Sequence, residues 1–382
     1  MMKVLYVSFH DPTKIDIGNG MDYFHYQSIC NRGFEVKYFE PVISSPLWLE
    51  QLVARAYQRT GKRYLKYKLT TTWRASQATN KAVREWKPDV VFTIYPAALV
   101  YYNQAAPCVY SLDTTIYGLE KFWPLYGWPS LMVSMWQERR AFRRCRKVLT
   151  NSEWSRKIIT DVYKVPKENM EVFPLPSTLP PQCVPDKVNM DWKALEKPLR
   201  LLLVGRDYRR KGIDIAIEVV HQLNASGIFT ELTVCGTQGQ EDQFVKFVGP
   251  FKKGDPEQLE QYIDLYRKAH LLIHPALFEP AGIVPSEAAA FGTPTITNDV
   301  GGLSTTVADG ESGIVLPGGS RPEAYAQAIT QLIQDPEKYY ALCWKTRQRY
   351  DRELNWDSAG KWFASVLRQT VESEREARYI YE

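Results

Sequence analysis

The sequence predicts an α/β protein built on two parallel sheets. Three observations carry this expectation. Short runs rich in Val, Ile, Leu and Phe recur along the chain, and most are apolar throughout rather than alternating, as in strands covered on both faces. Stretches of helical periodicity, such as GIDIAIEVVHQLNASG at 212–227, separate most of them. The alternation is laid down twice, in a chain of 382 residues that is too long for one ordinary domain.

In the first half, strands are expected at 4–9, 34–40, 89–95, 108–113, 147–152 and 170–175. In the second half they are expected at 199–205, 229–236, 244–249, 269–276, 293–298 and 312–317. The join falls in PLPSTLPPQCVPDKVNMDWKALEKP (174–198), where six prolines and mixed polarity read as a linker. Domains are therefore expected over 1–180 and 199–355, with a linker over 181–198 and closing helices over 356–382. Past residue 335 the pattern is wholly helical, with no strand left to follow.

A content of 45% hydrophobic and 24% charged residues is that of a soluble globular protein. No apolar run reaches the roughly 20 residues of a membrane helix. The longest candidate, VVFTIYPAALVYYN at 90–103, is too short and contains a proline. The opening MMKVLYVSFHD runs straight into a strand, so no cleavable signal is expected. Six scattered cysteines, with no CxxC pair, read as reduced thiols of a cytoplasmic protein. The net charge of +5 is uneven, at +10 over residues 1–189 and −5 over 190–382, so the halves are expected to face different partners.

Chemistry concentrates in HPALFEPAGIVPSEAAAFGTP (274–294), where Glu279 and Glu287 interrupt an apolar or small-residue run. Charges stay inside a protein only where something there needs them. A buried strand leads to a turn at Glu279 and Pro280, and a helix with Pro285 in its first turn follows. The N–H groups of Ala281, Gly282, Ile283 and Val284 then form an anion site at the strand's carboxyl end. Glu287, one turn on, leans back past that site toward a ribose diol, and Glu279 accepts hydroxyls of a sugar on the other side. Taken alone, the pair reads equally as a helix-capping acid and a solvated glutamate.

Three other stretches favour the ligand. In LLLVGRDYRRKGIDIAIE (201–218), Gly205 ends a strand and places Arg206 and Lys211 at the sheet's carboxyl edge, where two cations can hold a leaving diphosphate. Arg209 and Arg210 are expected to be solvated. NDVGGLSTTVADGESGIVLP (298–317) supplies a Gly301–Gly302 turn after the next strand. SFHDPTKIDIGNGMDYF (8–24) supplies Gly18 and Gly20 in a loop that opens a helix. No DxD-like pair or His/Cys/Asp cluster suggests a metal, and no cofactor is expected.

Together these motifs resemble the retaining glycosyltransferases of family 4. VGR…RKG, FVGP, HPALFEPAGIVPSEAAAFGTPTI, VGGL and ADGESGIVLP follow in order over the second half, and GNG and TNSEWSRKII match more loosely in the first. The resemblance implies a GT-B fold of two facing Rossmann-like domains, with LNWDSAGKWFASVL in a helix that crosses back to the first. It implies a nucleoside-diphosphate sugar as donor, UDP- or GDP-linked, and a hydroxyl acceptor such as a saccharide, a lipid or a lipid-linked glycan. At matching positions it implies Arg206 and Lys211 on the diphosphate, Glu279 on the donor sugar, Ala281 to Val284 as backbone contacts, and Glu287 on the ribose. Val248–Phe251, with Gly249 and Phe251, would line the base. Gly18 and Gly20 would close over the phosphates. Many members carry a histidine near the donor sugar on the first domain; here YSLDTTIYG offers Asp113 instead, and His10 is its rival. The resemblance further implies transfer without a protein nucleophile, the departing phosphate taking the acceptor's proton, and Arg206 and Lys211 can neutralise the leaving diphosphate without a metal.

Residues 55–87 hold ten Lys or Arg and one acid, interleaved with Tyr57, Tyr64, Tyr67, Trp73 and Trp86, and RRAFRRCRK follows at 139–147. The readings are a solvated basic face over core aromatics or a peripheral contact with an anionic, cytoplasmic membrane face. No nucleic-acid fold is recognisable. Two other functions stand beside transfer. A nucleotide-sugar epimerase would release sugar without an acceptor, and a two-lobed sugar-binding protein would have no use for the cations at 206 and 211.

Overall fold

The structure, a computed structural model, describes residues 1–15, 20–41 and 48–381. It divides into two compact units, Met1–Phe173 with Ala359–Glu382, and Pro174–Ser358. Each unit is built on a six-stranded, fully parallel sheet.

The first sheet contains β1 (Lys3–Val7), β2 (Glu35–Phe39), β3 (Val90–Thr93), β4 (Cys108–Leu112), β5 (Lys147–Thr150) and β6 (Met170–Val172), in the order β2-β1-β3-β4-β5-β6. Interior strands β3 and β4 are buried at every residue, which is why they read as unbroken apolar runs. At the edge, β2 turns charged Glu35 and Lys37 outward, the composition that keeps an edge from pairing with another chain.

The second sheet contains β7 (Leu199–Val204), β8 (Thr230–Cys235), β9 (Val245–Val248), β10 (Leu271–His274), β11 (Thr295–Asn298) and β12 (Gly313–Leu316), in the order β12-β11-β10-β7-β8-β9. Helix Ile213–Ala225 buries Ile213, Ala216, Val219, Val220 and Leu223, one stripe at helical spacing, against this sheet. Strand order reverses between β7 and β10, and in the first sheet between β1 and β3. Open α/β sheets bind ligands beyond the carboxyl ends of their strands at such a reversal.

All twelve strands form where the sequence places them, but most stop short of their expected ends: 89–95 becomes Val90–Thr93, and 269–276 becomes Leu271–His274. The residues released at the carboxyl ends leave the ladder and become the loops that carry polar groups. The division between units falls at Phe173, before residue 180, and the stretch expected as a linker over 181–198 is folded into the second unit. Its anchor is Lys193, fully buried, whose Nζ donates to Tyr266 O (3.0 Å), Arg267 O (3.2 Å), Ala269 O (2.8 Å) and Thr293 Oγ1 (2.7 Å).

The closing helix Trp356–Tyr381 starts in the second unit and counts with the first from Ala359. There Phe363 lies edge-on to Phe92, Trp362 stacks on Phe173 at 5.0 Å, and Arg146 pairs with Glu374 at 2.6 Å.

Candidate active site

Two loops meet at the reversal of the second sheet. The first leaves β7 through Gly205 and carries Arg206, Arg210 and Lys211 before helix Ile213–Ala225. The second leaves β10 and carries Glu279 before the short helix Ile283–Ala289. They are tied by Leu277 N–H donating to Arg210 O (2.9 Å). Gly205 is required by close approach, because a Cβ there would lie 2.4 Å from Lys211 Cγ.

Glu279 is the centre of a charged cluster. Its Oε2 accepts from Lys211 Nζ at 2.5 Å and from Arg210 Nη1 at 3.0 Å, and His274 Nε2 stands 3.8 Å away. Burial alone would raise the acid's pKa, but the Lys211 charge, with that of Arg210, prevails and holds it well below the usual carboxylate range. Burial lowers the pKa of Lys211, and Glu279 offsets part of that. His274 is fully buried and pulled down to about 4, by burial first and then by Lys211, so it is neutral at pH 7. Neither of its ring nitrogens has a hydrogen-bond partner among the described residues.

Arg206 is exposed, with no ion pair among the described residues. Around Gly282 (φ 86°), no protein acceptor among the described residues takes the N–H groups of Gly282, Ile283 or Val284. Ala281 is buried, and its carbonyl accepts from Thr306 Oγ1. Of the backbone expected at 281–284, the N–H groups of 282–284 are thus left without a protein acceptor among the described residues.

Glu287 differs from the expectation of an open ribose contact. It is buried, and all its lone-pair directions are taken: Oε1 by Thr178 Oγ1 (2.9 Å) and Lys253 Nζ, Oε2 by Tyr262 OH (2.7 Å) and Tyr266 OH (2.8 Å). A ligand hydroxyl reaches this carboxylate only by displacing one of them. The exchangeable partner is Lys253, which is part-exposed and also lies over the Tyr262 ring at 5.2 Å. Gly249, exposed at φ 75°, and Phe251, 6.4 Å from the Tyr262 ring, follow β9.

The remaining expected residues belong to the first unit. Gly18 lies outside the described residues. Gly20 heads helix Met21–Cys30 in the left-handed region. Asp113 is exposed after β4, where its Oδ1 accepts from Thr114 N–H (2.7 Å) and its carbonyl from Ser155 Oγ (2.5 Å). His10 is exposed after β1, with its ring 6.1 Å from Tyr95.

Sequence reasoning missed five participants. Arg210 is not solvated but paired with Glu279. His274 closes β10 beneath that acid, a lone histidine ending an apolar strand. Lys253 and the Tyr262–Tyr266 pair enclose Glu287; the i,i+4 spacing of the two tyrosines in helix Pro256–Lys268 was the available signal. Among the described residues, no three His, Cys, Asp or Glu side chains come together as metal ligands.

Two family models match this chain: glycosyl transferases group 1 over residues 187–349, and glycosyltransferase family 4 over 27–176. The chain belongs to the GT-B glycosyltransferases of this group 1 and family 4 type. The glycosyltransferase is 32% identical over 190 residues to D-inositol 3-phosphate glycosyltransferase 1 of Catenulispora acidiphila, covering 46% of this chain and 45% of the relative. It spans less than half the length of the curated relatives it matches first. In fold it is similar to sucrose-phosphate synthase of Thermosynechococcus elongatus, with TM-score 0.69 and 18% identity over 98% of this chain and 100% of the other. It is likewise similar to Anabaena HepE solved in complex with UDP-glucose, with TM-score 0.61 and 17% identity over 97% and 100%.

Proposed function

We propose that this glycosyltransferase moves a sugar from a nucleoside-diphosphate sugar, UDP- or GDP-linked, to a hydroxyl of a saccharide, lipid or lipid-linked glycan, with retention at the anomeric carbon. The observation that supports this best is the cluster of Arg210, Lys211 and Glu279 beside unpaired N–H groups at 282–284. Cations and free donors suit a diphosphate, and a carboxylate held ionised suits sugar hydroxyls, which donate. The solved Anabaena protein of the same fold holds UDP-glucose, which favours uridine.

In the reaction, the bond from the anomeric carbon to phosphate oxygen breaks and its electron pair stays on the diphosphate. Exposed Arg206 and buried Lys211 would neutralise the growing charge, with the backbone at 282–284 sharing it. The acceptor oxygen bonds to the same face of the sugar, and its proton passes to the departing phosphate oxygen. Glu279 fixes the sugar by its hydroxyls. Lys211 must exchange Glu279 for phosphate as the donor enters, so the acid is released to the sugar when the cation is taken by the diphosphate.

Calorimetric titration with UDP, GDP and their sugars, followed by analysis of the product anomer, tests the proposal. Micromolar binding of one diphosphate and a retained anomer are expected. Failure of every nucleoside diphosphate to bind would refute it. Release of an altered free sugar without acceptor would point to an epimerase, and binding of free sugar alone to a sugar receptor.

A further inference from the structure

Three helices of the first unit turn apolar side chains outward from neighbouring positions. Helix Trp48–Arg59 has no fully buried residue, and Trp48 (66% exposed), Leu49, Leu52 and Val53 form one stripe on it. Helix Leu69–Trp86 exposes Leu69 and Trp73, four residues apart. Helix Trp128–Phe142 exposes Trp128 (73%), Met132 and Trp136 at the same spacing.

Contacts join the three. Glu50 accepts from Thr70 N–H (3.3 Å) and from its hydroxyl, which ties the starts of the first two helices together. The Tyr57 ring lies against Gly127 at the start of the third, where a Cβ would fall 3.0 Å from Tyr57 Cε1. Gln137 Nε2 donates to Tyr67 O at 3.1 Å and to Thr72 Oγ1 at 3.2 Å, tying the third helix to the second.

Arg55, Arg59 and Arg74 lie on the first two of these helices, and Lys62, Arg63 and Lys68 lie in the stretch between them. Between residues 48 and 87 the only acids are Glu50, turned to Thr70, and Glu85.

We propose that this face docks on an anionic lipid surface, with Trp48, Leu49, Leu52 and Val53 entering the boundary between headgroups and acyl chains. Soluble proteins rarely leave so many large apolar side chains on adjoining helices to water, and tryptophan and basic residues together match the headgroup layer. A second copy is the poorer occupant, because a twofold contact would set this cationic face against itself. Nucleic acid would use the cations but not the leucines. The sequence alone placed the contact on the basic segment 55–87; the structure moves its leading edge to the helix that begins at Trp48. This inference stands apart from donor chemistry, since lipid docking needs no nucleotide.

The test uses the full chain with vesicles of phosphatidylcholine alone or with about a third phosphatidylglycerol. Co-sedimentation is expected with the anionic vesicles only, and a fraction is expected to stay bound at high salt, where charge alone is screened. Leu49→Asp/Leu52→Asp should weaken binding on the order of tenfold or more while leaving the melting curve and nucleotide titration unchanged, because both side chains are exposed. Arg55→Gln/Arg59→Gln should weaken it at low salt and little at high salt. Unchanged binding in the leucine variant, or complete release by salt, would overturn insertion. A wild-type dimer in solution that the leucine variant abolishes, without vesicle binding, would assign the face to self-association instead.

Discussion

A methyl group on Gly301 would lie 2.1 Å from the carbonyl oxygen of Glu279. The same oxygen accepts from Gly302 N–H at 2.9 Å, and Gly301 sits at φ 59°. The turn after β11 therefore clamps the backbone of the central acid. Gly301→Ala should destabilise the second unit by more than the roughly 1–2 kcal/mol of the left-handed conformation, since a backbone clash adds to it. Thermal unfolding beside transfer rates checks this; a variant with wild-type melting and rate would show that the clamp does not set the position of Glu279.

Glu279 and Glu287 should fail in different ways. Glu279→Ala frees Lys211 and Arg210, so nucleoside-diphosphate affinity should hold or rise while transfer falls by about 2–4 kcal/mol of barrier. A parallel loss of diphosphate binding would remove Glu279 from the sugar side.

Glu287→Ala strands the Lys253 ammonium and two tyrosine hydroxyls around an emptied buried site. Its first effect should be on stability, about 1–3 kcal/mol for the two buried hydroxyls left without their acceptor, since part-exposed Lys253 can turn to water. Glu287→Gln should recover part of that loss. Denaturant titration of the three proteins decides, and an alanine variant as stable as wild type would return Glu287 to a purely ligand-binding role.

Lys193 makes a pH prediction. Burial pulls it from an ordinary 10.5 down to about 7. Between these values the unfolded chain holds a proton that the folded chain lacks, so this group's contribution to stability rises with pH across that window. Lys193→Met should destabilise at pH 7 by about 2–4 kcal/mol, because Arg267 O and Ala269 O lose their donor. The gap between wild type and variant should widen from pH 7 toward 10; a constant gap would mean that the ammonium keeps its proton throughout.

Transfer should survive chelation. In the proposed reaction Arg206 and Lys211 would supply the positive charge that a metal ion would otherwise bring to the leaving diphosphate. Initial rates with and without EDTA test this, and a rate abolished by EDTA and restored by Mg²⁺ or Mn²⁺ would refute it.

The strands were legible because buried parallel strands are continuous apolar runs, and Val90–Thr93 or Leu271–His274 admit few other readings. That Glu279, Lys211 and Gly282 sit in loops at the carboxyl ends of β10 and β7 was legible because such loops follow buried parallel strands. What escaped depends on side chains meeting across the fold. Arg210 and Arg209 are adjacent in sequence and alike in type, and only the approach of the loop after β10 pairs one of them with Glu279. Glu287 looked free because Thr178 lies 109 positions away, in a stretch whose prolines read as a linker.

The chain passes between its units at Phe173 and again at Ser358, which gives the two units unequal histories. Synthesis delivers Pro174–Ser358 as one uninterrupted segment, able to close its sheet as soon as it has emerged. The other unit has its sheet early but waits for Phe363, which covers Phe92 and lies 5.2 Å from the His25 ring. Until then those rings and Phe173 stand open to whatever else is in the cell. A nascent chain stalled before Trp356 would thus carry one finished lobe and one needing a chaperone, and a fragment cut at Phe173 would inherit the same exposed aromatic face.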